Sequence, residues 1–510
     1  MDWGIAVFSG LGLGFDCCLF FDCIGDFLLM VSDSGLDKLK KFGQETLLFG
    51  NEPSPELIAI LTVYFVQGIL GLSTLAISFF LKDDLKLSPT EVGAFIGIGM
   101  APWVAKPLFG FLSDGLPIFG YKRRSYLFLS GLIGTLSWIA LGTIVETVWT
   151  TILAIFFSSL SVAISDVIAD SLVVERVRKE SVSASGSLQS LCWGISALGG
   201  LITAYLSGCL LEHFSTRTIF LVTATFPLIV SGVAWLIDEK NTISGMSSAS
   251  VKHQVKELRR AITQKVILLP TLFIFLWQCT PTSSSAFFFF TTNELGFPPE
   301  FLGRVRLVTS VTALLGAWLF QRFFKSVPFR TIIGWGTVLS ALLGMTNLLL
   351  VTHANRSLGI DDRWFSLGDS AILTVMGQIT WMPVLVLSAR LCPPGIEATL
   401  FALLMSIWNL SALVSQELGA LLTHWLGVTE TNFDNMWLLV VITNASSLLP
   451  LVFLKFLPVN DPQSELKSGG NPDLLPPAEV FEHQTTGSLV GQSLTPDLIP
   501  EFPISPVSRE

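Results

Sequence analysis

The chain has 510 residues, 51% of them hydrophobic and only 14% charged, with a mean hydropathy of +0.65 and a formal net charge of −9. Soluble proteins carry roughly a quarter charged residues, so the composition argues against a soluble enzyme, a disordered scaffold or a nucleic-acid binder. It describes an all-α polytopic membrane protein.

Residues 1–50 form an N-terminal extension. Its apolar stretch 4–31 is broken by Asp16, Asp22 and Asp26, which are costly in a bilayer. No basic region precedes it, so neither a secretory signal nor an Arg-rich transit peptide is expected. Residues 36–49 read as an amphipathic helix lying on the membrane. A crossing helix needs about 20 apolar residues, and such stretches occur near 57–80, 90–112, 125–145, 148–173, 186–210 and 217–237. A polar linker, 238–265, interrupts the pattern. Six more follow near 266–291, 299–323, 329–351, 369–391, 396–425 and 434–457. The expected organisation is a first six-helix bundle over 51–237, the linker, a second bundle over 266–457 and a disordered tail over 458–510, rich in Pro, Ser and acids.

Placing both ends of the twelve-helix core in the cytoplasm leaves Lys82, Lys86, Arg217, Arg356 and Arg363 outside and most of the other Lys and Arg inside, as the positive-inside rule requires. The seven cysteines (Cys17, Cys18, Cys23, Cys192, Cys209, Cys279 and Cys392) have neither paired spacing nor accompanying His. They read as small apolar residues, and no metal or cofactor is expected.

The halves repeat. Gln67 to Gly93 matches Gln278 to Gly303 at a shift of about 210, each running from Gln through a Phe-rich helix end into a Pro-containing loop and a Gly. Trp193-Gly-Ile-Ser196 matches Trp408-Asn-Leu-Ser411 at 215. Two six-helix repeats in one orientation describe the major facilitator architecture, whose solute site lies at the midplane between them.

Ionisable residues within spans are functional candidates. Asp166 and Asp170, in SVAISDVIADSLVVER, stand i, i+4 on one helix face. They cannot both ionise cheaply without a cation, which suits proton coupling or a forked acceptor for an amidine-like edge; a structural pair is the alternative. Lys106 sits between Pro102 and Pro107, at an expected kink, and would partner an aspartate, meet a carboxylate or snorkel. Arg304 and Arg306 would neutralise an anionic solute or snorkel. Gln67 and Gln278, with Gln189, Gln378, Asn409 and Glu417, line the cavity or bond between helices. Trp381 and Phe287–Phe290 either stack on a flat solute or face lipid. Ser196, Gly200, Ala204 and Gly208 form a small-residue stripe for close helix packing. A cytoplasmic gate is expected from Asp114, Arg123, Arg124, Glu175 and Arg178, whose ion pairs would break as the halves rock.

The stretches KPLFGFLSDGLPIFGYKRRSYLFLSG, SLSVAISDVIADSLVVERV, GSLQSLCWG, FTTNELGFPPEFLGRVRLVTS and MPVLVLSARLCPPGIEATLFALLMSI resemble the folate-biopterin transporter family, a major facilitator branch of cyanobacteria, chloroplasts and trypanosomatids. The resemblance implies proton-linked movement of folates or pterins by a secondary transporter, not an enzyme, with a monomer as the expected unit. A bacterial cell membrane is favoured over the chloroplast envelope. A pterin's parallel N–H donors would suit Asp166 or Asp170, its anionic tail Lys106 or an arginine, and its ring an aromatic face. The chain departs from the family pattern twice. A family Arg in the first helix falls on Thr74, and a family His and Asp in the seventh fall on Thr282 and Ser284. If the family Arg and Asp pair across the cavity, losing both leaves no orphan charge; the loss keeps open a different flat anion as substrate, or a sensor on a transporter fold.

Overall fold

The computed structural model describes residues 53–177, 182–239, 241, 256, 259–260, 262–324, 327–391 and 397–458. The 1–50 extension, most of the linker, Arg178 and the tail after 458 lie outside the described residues. Backbone contacts distinguish a larger unit, Pro55–Glu175 with Cys192–Asp497, from a smaller one that takes in Arg176–Leu191. In the smaller, Arg176 donates to Ser54 Oγ at 2.6 Å.

Among the described residues, eleven helices are long and apolar enough to span a membrane. The first repeat holds α1 (Pro55–Asp84), α2 (Pro89–Gly115), α3 (Arg124–Thr143), α4 (Val148–Arg176), α5 (Leu191–His213) and α6 (Thr216–Leu236). The second holds α8 (Pro299–Phe324), α9 (Phe329–Val351), α10 (Asp362–Ser388), α11 (Leu400–Trp425) and α12 (Met436–Phe456). The remaining segment differs from the continuous span expected over 266–291. It comprises α7a (Lys265–Gln278) and α7b (Ser284–Phe289). Pro281 lacks an N–H and disfavours helical backbone at Thr280. A neighbouring helix satisfies the freed groups: Ser415 Oγ of α11 donates to the Thr280 carbonyl at 2.5 Å, and Thr282 N–H donates to the Ser415 carbonyl at 3.4 Å. In the first repeat, Thr203 Oγ1 of α5 does the same for α1, donating to the Gly68 carbonyl beside its own bend.

The repeat extends to single hydrogen bonds. After α7b and at the end of α1, the helix widens by one residue, with Leu85 N–H donating to Phe80 O and Leu295 N–H to Phe290 O, at 3.0 and 3.1 Å. Leu87 N–H then reaches Leu81 O, and Phe297 N–H reaches Thr291 O. The chain reverses through left-handed backbone at Lys86 (φ 56°) and Gly296 (φ 65°) before α2 and α8 start on Pro89 and Pro299. Each position is displaced by 210 residues, as the sequence alignment requires. Ser88 adds a capping box with Glu91 to the first copy.

Each repeat has its own core, Leu72, Phe80, Trp138, Leu141 and Phe220 in the first and Phe273, Ile333, Val384, Leu387 and Leu404 in the second. Small residues bring helices together elsewhere. A Cβ on Gly68 of α1 would lie 2.1 Å from the Ser196 carbonyl of α5, and one on Gly208 would lie 2.3 Å from the Pro299 carbonyl of α8. The α5 stripe therefore packs backbone against backbone, once within its repeat and once across to the other. A second crossing joins α2 to α11, where Gly97 leaves room for Glu417 and Gly93 faces Ala420. At the ends of α1 and α7b, Phe79 meets Phe288 edge-on at 5.2 Å, and Phe289 packs with Leu81, Leu87 and Val92. Phe288 and Phe289 thus seal the repeats to one another, Phe287 and Phe290 pack within the second repeat, and Phe289 and Phe290 are buried and do not face lipid.

Replacing Gly68 with Val should cost about 1–3 kcal/mol through overpacking. Thermal unfolding of the purified protein in detergent should show the loss. Gly194→Ala, whose added Cβ meets nothing within 4 Å, should leave stability unchanged or slightly raised.

Candidate functional site

The polar centre is assembled by α1, α2 and α4. Two prolines, Pro102 and Pro107, break α2 into Pro89–Gly99, Ala101–Val104 and Lys106–Gly115, each lacking an N–H and crowding the carbonyl four residues back. The second break releases Lys106 from the regular helix path, and its Nζ donates to Asp166 Oδ2 on α4. Both side chains are largely enclosed, at 17% and 13% exposure. One turn further along α4, Asp170 accepts a 2.5 Å hydrogen bond from the Tyr64 hydroxyl of α1. The two aspartates therefore have different partners. Asp166 is neutralised by a cation, while Asp170 is held by a phenol and keeps an oxygen free of that bond.

An aromatic surface continues from this centre into the second repeat. Lys106 Nζ stands 5.2 Å from the Trp103 ring, and the Trp103 carbonyl accepts from Asn409 Nδ2 of α11 at 3.3 Å. Beside Asn409, Trp408 lies against Trp381 of α10 with ring centroids 3.8 Å apart, and Trp277 of α7a follows at 6.2 Å. Trp277 Nε1–H is anchored on Thr337 Oγ1 of α9 at 2.9 Å. Sequence reading singled out Trp381 but missed Trp277 and Trp408. The available signal was Trp408's place in the repeat, which was read as symmetry alone.

The other candidates divide. Arg304 is paired with Glu300 on its own helix at 2.6 Å and is 58% exposed. Arg306 points elsewhere: Nη1 reaches the Gly71 carbonyl of α1, across the repeats, at 3.4 Å. Gln67 turns into the first repeat and borders a cavity of about 10 Å³ with Gly131, Ser161, Ser165 and Pro227, room for one water at most. Its Nε2 is buried without a bonded partner among the described residues. Gln278 ends α7a beside the break. Thr282 and Ser284 share a 2.6 Å hydroxyl bond, and Thr74 is exposed. Asp369 of α10 escaped the sequence reading because it stands within two turns of the helix start; its carboxylate takes the Thr346 hydroxyl of α9.

Of the expected gate residues, Asp114, Arg123 and Glu175 meet, while Arg178 lies outside the described residues. Arg123 binds Asp114 at 2.8 Å, Glu175 at 2.8 Å and Ser113 Oγ at 2.9 Å. Arg124 lies over Trp235, 4.0 Å from its centroid. Glu239, which sequence reading passed over, accepts the backbone N–H groups of Lys122, Arg123 and Arg124 at 2.6, 3.0 and 3.0 Å. These are the unpaired donors that open α3, where a carboxylate is favoured. These partners belong to the first repeat or, for Glu239, to the start of the linker just after it, so the described bonds brace the end of that bundle and do not latch it to the other. Among the described residues no group of three His, Cys, Asp or Glu could hold a metal.

Two sequence-related helical repeats crossing at α2–α11 and α5–α8, with a charged and aromatic centre inside the spans, define a multi-pass membrane transporter of the major facilitator fold. The fold matches a D-xylose-proton symporter (TM-score 0.58, 14% identity, 79% of this chain and 98% of that one) and the nucleoside transporter NupG (0.59, 12%, 79% and 98%). Residues 67–470 match the sequence profile of the BT1 family. The chain is 62% identical to a folate-biopterin transporter of Synechocystis over 91% of its length and 95% of the relative's. It is 34% identical to probable folate-biopterin transporter 2 of Arabidopsis thaliana (79% and 83%) and 31% identical to folate transporter 1 of Plasmodium falciparum (82% and 81%). The chain belongs to the BT1 family of folate-biopterin transporters.

Removing one partner of the Lys106–Asp166 pair strands a buried charge, at a cost of about 3–5 kcal/mol. Lys106→Met and Asp166→Asn should each lower the unfolding temperature, and the double variant should be more stable than either single one.

Proposed function

We propose that this protein carries folates or pterins across the membrane by alternating access, with a proton as the coupling ion. The observation that carries the reading is the pairing at the centre. Lys106 and Asp166 neutralise each other, and Asp170 is left as a carboxylate bonded, among the described residues, to a phenol alone. A pterin's 2-amino-4-oxo edge presents parallel N–H donors that such a carboxylate accepts as a fork, and the ring finds a flat apolar partner on Trp381 and Trp408. The same carboxylate takes up a proton when the solute leaves, which ties solute and proton movement to one group. The 62% identity to a named folate-biopterin transporter supports the substrate class.

The Arg123 and Glu239 bonds keep the ends of α2, α3 and α4 together, so that the first bundle moves as a rigid body. The positive-inside rule sets these basic ends in the cytoplasm, and the Phe79–Phe288 seal then lies at the outer end. A cell membrane of bacterial type and a monomeric unit fit this arrangement.

Uptake of labelled folate and a neutral pterin into proteoliposomes, with and without a proton gradient, tests the reading. Both should enter, faster with the gradient. Asp170→Asn should abolish the gradient's stimulation and lower folate uptake by roughly tenfold or more, the worth of a charge-assisted bond. Indifference to the gradient would remove the proton. Binding without uptake of either compound would mark a sensor.

A further inference from the structure

We propose that Arg306 is the anchor for a substrate carboxylate, and that it selects elongated pterins bearing a glutamate tail over pterins that lack one. The inference rests on the transport reading above and assigns the other end of the solute.

Among the described residues, three cations singled out for an anionic solute, Lys106, Arg304 and Arg306, lie within spans, and two are committed. Lys106 is bound by Asp166, and Arg304 by Glu300 one turn back on α8. Arg306 shares a face with Gly303, one turn earlier, and Gly303 is the residue that meets Gly208 of α5. That face looks onto the first repeat. Part-buried there, the Arg306 guanidinium has one long contact, 3.4 Å to the Gly71 carbonyl, and among the described residues no carboxylate bonds to it. Five donors around a full positive charge are poorly served by a single carbonyl at that distance. The Gly71 oxygen already accepts from Thr74 N–H at 3.3 Å. A carboxylate arriving beside it would supply two short charge-assisted bonds in place of one long neutral one.

The register of α1 sets the spacing. Tyr64, which holds Asp170, and Gly71, which holds Arg306, are seven residues apart. The bend at Gly68 lies between them, so no common face follows from the register, but the path along α1 separates them by roughly 10 Å. The site therefore offers an acceptor for ring N–H donors at one end and, among the described residues, a cation without a carboxylate partner farther along α1. A bare pterin fills only the first position. A pterin extended by a linker and an amino-acid tail reaches both.

The full chain in liposomes, with labelled folate and labelled biopterin as probes, gives the test. Arg306→Gln should raise the folate KM by roughly tenfold or more while biopterin uptake stays within about twofold of the unaltered protein. Arg306→Lys, which keeps the charge, should retain an intermediate folate uptake. Equal loss of both substrates in Arg306→Gln, or folate uptake unchanged by it, would overturn the assignment and leave transport standing. Uptake of neither compound by the unaltered chain would overturn the transport reading and the assignment together.

Discussion

The Lys106–Asp166 ion pair is the constraint around which the centre is arranged. Two ions removed from water each cost several kcal/mol, and only a close, well-bonded partner offsets this. The pair forms at the second break of α2, which Pro107 sets. A lysine on a straight helix would have to bend its own stem toward α4, whereas the second break of α2 does part of that work through the backbone. It also fixes the division of labour between the two aspartates. One helix turn separates them, yet the first is silenced by a cation and the second is left to a tyrosine. Without Lys106, two carboxylates on one face would repel each other, and neither would be available at a defined charge.

The contacts between the repeats suit the proposed alternating access. Where α5 crosses α8, and where α2 meets α11, the contact is made by glycines or by a side chain lying over a glycine. Such surfaces are smooth, and few interlocked side chains must be extracted when one bundle tilts against the other. The described ion pairs of Arg123 and the carboxylate of Glu239 stay within one bundle. Among the described residues, these ion pairs lie inside the first bundle, while the bundles meet through apolar contacts such as Phe79–Phe288 and long hydrogen bonds such as Asn409 to the Trp103 carbonyl.

Much of this was legible in the amino-acid order. Span positions follow from hydropathy, and the 210-residue shift held down to the hydrogen bonds at Phe80 and Phe290, because a wide turn, a left-handed residue and a proline start leave a common sequence mark. Asp166, Asp170 and Lys106 stood out because charges within spans are rare. Legibility failed where the signal depends on who faces whom. Trp277, Trp381 and Trp408 come from three helices, and tryptophan in a membrane chain has many uses. Glu239 sits just after a span, where an acid looks like ordinary loop chemistry, and only the fold brings the open end of α3 to it. The break in α7 was hidden by the hydrophobicity of its flanks, although Pro281 was in plain view.

In the proposed binding mode solute lies between the Tyr64-tethered Asp170 and the tryptophan surface of the second repeat, and equilibrium binding to the purified protein tests it most directly. Titration with a pterin should quench tryptophan emission saturably. The quenching should fall sharply when Trp381 and Trp408 are both replaced by Phe, and the Kd should rise by roughly tenfold in Asp170→Asn. Undiminished quenching in the double-Phe variant, together with unchanged affinity in Asp170→Asn, would contradict the account.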